Sequence, residues 1–191
     1  MSTVTVAPQE FKFVMFDAEL TRRVAEDLVA SFDIHRDIQI TIDETTPLAR
    51  ISVQIGAGAD DPIVVHADSG AFEDTRRPRH QSETATATAL GRVLHRAGDR
   101  LHGGFGEAPP DDDLTLAQMA AWETYSVGRL ERHGIAVHRP RWLYNFRNRH
   151  GFSDAGDVAF DALWSSDGLT WGELDSISAS AIATSQVASP A

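Results

Sequence analysis

Apolar and polar residues alternate most cleanly in the first third of the chain. Ile38, Ile40 and Ile42 alternate with Gln39, Thr41 and Asp43, and Ile51, Val53 and Ile55 alternate with Arg50, Ser52 and Gln54. A period of two puts the two sets on opposite faces of a strand, one buried and one wet. Ile63 to Ala67 is apolar more continuously, and a Thr46-Pro47 turn and the stretch 56–62 separate the three segments. Short connections between successive strands predict an antiparallel β-meander. Upstream, Phe11, Phe13 and Met15 share one face of a further strand over 10–16, and residues 1–8 read as a flexible N-terminus.

The remaining apolar positions recur at helical spacing. Asp17 is a good N-cap for a helix carrying Leu20, Val24 and Leu28. A second helix, from about Ser82, has Leu90, Val93, Leu94, Ala97 and Leu101 on one face and is stopped by Gly103-Gly104. A third, about 114–133, carries the stripe Leu116, Met119, Ala120, Val127 and Leu130 and ends at Gly134. Ser153 caps a short helix with Val158, Phe160, Leu163 and Trp164. Thr170 and Glu173 form a capping box for the last helix, with Leu169 and Leu174 placed for a hydrophobic staple. Grouped strands followed by helices indicate an α+β fold: an antiparallel β-meander with helices packed on one face, then a helical C-terminal part. One domain over 9–183 is expected, with a candidate internal boundary at 108–113 (APPDDD) and a flexible tail at 184–191.

Charge narrows the choice of partners. The chain of 191 residues has 17 basic and 28 acidic side chains, a net charge of −11, which repels phosphate backbones and anionic membranes at long range. Nucleic acid is therefore disfavoured as a partner. The absence of cysteine excludes disulfides, thiolate nucleophiles and Cys-held zinc or iron–sulfur centres. No apolar run approaches a membrane span and the N-terminus has no signal-peptide pattern, so a soluble, cytoplasmic protein is expected.

Two constellations could carry chemistry. His95, Asp99 and His102 lie at i, i+4 and i+7 of the second helix, a spacing able to ligate one divalent metal such as zinc or iron, with Glu123 on the next helix as fourth ligand or base. A meander followed by a histidine-bearing helix invites comparison with zinc peptidases of the HExxH type. The stretch His95-Arg96-Ala97-Gly98-Asp99 departs from that motif, with Arg96 in place of its general-base Glu and Asp99 in place of its second His. The three side chains share a polar side with Arg92 and Arg96, the pattern of a solvated face with no cofactor.

The second constellation is the run 139–150, in which Arg139, Arg141, Arg147 and Arg149 accompany Trp142, Tyr144 and Phe146. Arginine forks recognise carboxylates and phosphates, and aromatic rings offer faces for stacking. In a strand the three aromatics would share a face; on a helix they would spread around it. As a surface, the run suits a small anionic ligand or an acidic protein partner. As an anchor, its aromatics would enter the core and its arginines would pair with the chain's own acids. The expected function is a non-enzymatic, intracellular binding or interaction protein, with a metal-dependent hydrolase on the His95/Asp99/His102 face as the alternative.

Overall fold

Alternation in Val4–Ala7 is enough to start a sheet: Val4 and Val6 are buried and Thr5 and Ala7 exposed. The computed structural model describes residues 2–102 and 104–187. Its elements run β1 (Val4–Ala7), α1 (Ala18–Ser31), β2 (Ile38–Asp43), β3 (Ile51–Ile55), β4 (Ile63–Asp68), β5 (Glu73–Asp74), β6 (Arg77–Gln81), α2 (Glu83–Leu101), α3 (Leu116–Arg132), α4 (Arg139–His150), α5 (Asp154–Ser165) and α6 (Trp171–Val187). The chain divides after Gly98, within α2, into two compact units.

The first unit holds a four-stranded sheet in the order β1-β2-β4-β3. β1 pairs with β2 and β2 with β4 in parallel, and only β3 runs antiparallel, against β4. The fold is thus mixed α/β, and the expected antiparallel meander is corrected: β2 and β3 are not neighbours. The cause is visible in the strands themselves. β4 is the most continuously apolar and takes an interior position, while β3, with Ile51, Val53 and Ile55 only half-buried, takes the edge. The predicted faces hold, since Ile38, Ile40, Ile42, Ile63 and Val65 are at most 3% exposed. Residues 10–16 form no strand, Met15 making only an isolated bridge to His80, and the strand beside β2 is β1, in the segment expected to be flexible. β5 and β6 form a separate two-stranded hairpin.

α1 begins where Asp17 accepts a hydrogen bond from the Glu19 N–H at 2.8 Å, and it buries Val24, Ala25, Leu28 and Val29. Ser82 accepts from the Ala85 N–H at the start of α2. Of the glycines expected to stop α2, Gly103 lies outside the described residues, as do 188–191 of the expected tail.

The second unit is helical. α3 carries a capping box between Thr115 and Gln118 and buries Trp122, Tyr125, Val127 and Leu130. Leu116, expected in its apolar stripe, is instead 64% exposed. Gly128 lets α3 approach α5 so closely that a Cβ there would collide with the Trp164 carbonyl. Phe105, Trp122 and Trp171 form an aromatic cluster with centroids 4.8–6.2 Å apart. The box expected at Thr170 is present: its N–H donates to Glu173 at 2.8 Å.

Candidate functional site

The Arg/aromatic run is a helix, α4, with local reasons on both sides. The His138 ring accepts from the Arg141 N–H at 3.3 Å, Pro140 suits the first turn, and Gly151 leaves the helix at φ 99, a conformation open to glycine. Helical winding spreads the aromatics. Phe146 faces inward and is fully buried, 5.8 Å from Phe160; Trp142 is half-buried; Tyr144 faces outward and is 62% exposed.

The arginines divide in the same way. Arg147 makes a bidentate pair with Asp157 on α5, which raises the guanidinium pKa and lowers that of the carboxyl. Arg139 donates to Asp161 at 2.7 Å and lies 5.6 Å from the Phe160 and Trp164 rings. Arg141 and Arg149 are exposed and make no ion pair among the described residues. Arg141, Tyr144 and Asn148 follow one another at i, i+3 and i+7, so one outward face presents all three. Phe152, just beyond the helix and 65% exposed, meets Tyr144 edge-to-face at 5.9 Å, and the Arg147 guanidinium lies 6.0 Å from its ring.

Two groups of this neighbourhood escape a reading confined to 139–150. Phe152 belongs to the exposed face although it follows the helix stop. Asp157 and Asp161, one helical turn apart, take up Arg147 and Arg139; their spacing was the available signal. His150, at the end of α4, is 2% exposed. Its Nδ1 lies 3.1 Å from the Phe146 carbonyl, which can only accept, so Nδ1 carries the proton of the neutral ring and Nε2 accepts from the Ser178 hydroxyl at 2.8 Å. Burial lowers the His150 pKa.

The proposed metal ligands have other surroundings. His95, only 6% exposed, stacks on Phe32 with centroids 3.7 Å apart. Arg96 is 5% exposed, so the C-terminal half of α2 is not the solvated face its polar residues predict. Both oxygens of Asp99 are engaged within the second unit, by a bidentate Arg129 at 2.7 Å and by the Trp122 indole N–H at 2.8 Å. His102 follows the helix end and is exposed, and Glu123 is half-buried on α3. Among the described residues, no three His, Asp or Glu side chains are grouped to hold a metal ion. No described helix is long and apolar enough to cross a membrane. No family model, curated protein or solved structure matches the chain.

Proposed function

We propose that the protein is a non-enzymatic, intracellular binding protein whose recognition surface is the outward face of α4. The carrying observation is the exposed pair Tyr144 and Phe152, with Arg141 one helical turn from Tyr144. Two large aromatics held ring to ring in water give up contact area that a core would use, and they supply rigid area to a partner at small entropic cost. The cations around them select an acidic segment. Arg139 and Arg147 are taken by the chain's own aspartates, so the surface centres on Arg141, Tyr144 and Phe152, with Arg147 in support and Arg149 on the flank of the helix.

An acidic peptide, such as oligo-glutamate with one aromatic residue, tests this by titration of the protein's tryptophan fluorescence. Binding is expected to weaken as salt rises, since screening acts on exposed charges. It should weaken further, by about tenfold, in Tyr144→Ala and in Arg141→Ala. Equal affinity in wild type and in the Arg141→Ala/Tyr144→Ala double variant would end this reading.

A further inference from the structure

The three parallel strands of the first unit, β1, β2 and β4, end on the same side of the sheet. The chain beyond them, with β6, encloses an open crevice of about 350 Å³. Crevices at the carboxyl ends of strands are the usual ligand sites of open α/β sheets, and small-molecule pockets start at roughly 300 Å³. Phe13, Val14 and Pro78 are apolar residues of its lining, and Glu44, Glu73 and Arg79 are its charged ones.

The walls are fastened from several directions. The N–H groups of Lys12 and Phe13 both donate to Glu44 Oε2 at 2.6 Å, and the Met15 N–H donates to the Arg79 carbonyl at 2.7 Å. Asp43, at the end of β2, accepts from the Thr45 N–H and from the Thr45 and Thr46 hydroxyls, which lower its pKa to about 2 and fix the turn that carries Glu44. These bonds leave Phe13 59% exposed beside the crevice. Glu44 and Glu73 are half-buried, yet neither has a cationic partner among the described residues. Arg79, held at φ 65, makes no ion pair there either.

Two carboxylates and one guanidinium leave the crevice with one net negative charge. The complementary ligand has two cationic groups, one carboxylate and an aliphatic stem. We propose that this crevice binds a free basic amino acid of the arginine or lysine kind, its cationic ends on Glu44 and Glu73, its carboxylate on Arg79 and its methylene chain along Phe13 and Pro78. This site is independent of the α4 surface.

The test is a titration of the full chain with L-arginine, followed by amide chemical shifts. Saturable shifts at Phe13, Glu44 and Arg79 are expected, with Kd on the order of 1 mM or below. Agmatine, which lacks the carboxylate, should bind about tenfold more weakly. Glu44→Gln should weaken arginine binding, but Glu44 also holds the loop in place. Glu73→Gln, at a side chain with no partner among the described residues, should weaken it by about tenfold and leave the melting temperature unchanged. The proposal is overturned by an absence of saturable shifts up to about 10 mM, by unchanged affinity in Glu73→Gln, or by agmatine binding as tightly as arginine.

Discussion

Arg129 lies against one carboxylate and Arg79 shares a crevice with two, and the fold treats them in opposite ways. Arg129 is closed in: its guanidinium clasps Asp99 at 2.7 Å and lies 4.0 Å from the centre of the Tyr125 ring, and the pair is 11% and 8% exposed. Arg79 is exposed, in an open crevice whose two glutamates it does not engage. A closed cluster has its counter-charge built into the chain. An open one has charges of both signs arranged around a space, and their complement must come from solvent or from a ligand. The same contrast recurs along α4, where Arg147 is closed onto Asp157 and Arg141 is left open.

Removing one partner of the closed cluster is the harshest way to break this contrast. Asp99→Ala leaves the Arg129 guanidinium buried without its counter-ion and removes the acceptor of the Trp122 indole, so a loss of about 3–5 kcal/mol is expected. Asp99→Leu combined with Arg129→Met should cost far less, because it removes both charges and keeps apolar volume. Urea unfolding of the single and double variants reads the difference. A double variant as unstable as Asp99→Ala would show that the pair does more than satisfy itself.

Gly128→Ala comes next. The atoms nearest the added methyl are backbone atoms of Trp164 on α5, which cannot swing aside as a side chain would. Overpacking of this kind costs roughly 1–3 kcal/mol. A melting temperature equal to that of wild type would mean that α3 and α5 can separate freely.

Much of this architecture is legible before folding, and the illegible parts share a cause. The Asp17, Ser153 and Thr170 caps are local patterns, each needing only a few residues, and each forms. Alternation assigns Ile38, Ile40 and Ile42 to the buried face for the same reason. Neighbour relations are not local. Period two cannot say that β4 inserts between β2 and β3, nor that the first strand of the sheet is Val4–Ala7 and not residues 10–16. The polar side of α2 misleads similarly: a helical wheel shows His95 and Arg96 opposite the leucines but cannot show that the helix is buried around much of its circumference. For the candidate site, composition alone marks 139–150 as unusual. Dividing its arginines into closed and open ones requires α5, whose aspartates lie 10 to 22 residues away.

A pH titration probes a closed group that can change its own charge. Burial depresses the His150 pKa below its ordinary 6.5, so the unfolded chain binds this proton more readily than the folded one. The stability that neutral His150 supports is fully present above pH 6.5 and is lost as pH falls below it toward the folded value. Denaturant midpoints measured across that window should decline with acid in wild type and decline less steeply in His150→Gln. Parallel curves for the two proteins would place the titration elsewhere.

The smallest expected effect makes the sharpest comparison, because it sets a closed arginine against an open one on the same helix. The Arg147–Asp157 pair is about one-third exposed on both sides, so its bidentate geometry is discounted by solvent screening. Arg147→Ala should cost little stability, part of it from lost contact between the guanidinium and the Phe152 ring. Arg141→Ala removes a side chain with no ion pair among the described residues and should change stability by no more than about 0.5 kcal/mol in either direction. Sodium chloride separates the two further. Salt weakens the Arg147–Asp157 attraction, so the stability difference between wild type and Arg147→Ala should shrink as ionic strength rises, whereas the Arg141→Ala difference has no pair to lose. Affinity for an acidic peptide should show the reverse order, with Arg141→Ala weakening it more than Arg147→Ala. Matched thermal melts and peptide titrations at low and high salt supply all four comparisons. If Arg141→Ala proved the more destabilising and left peptide affinity intact, Arg141 would be a closed residue, and the outward face of α4 would lose the cation that distinguishes it from an ordinary solvated helix.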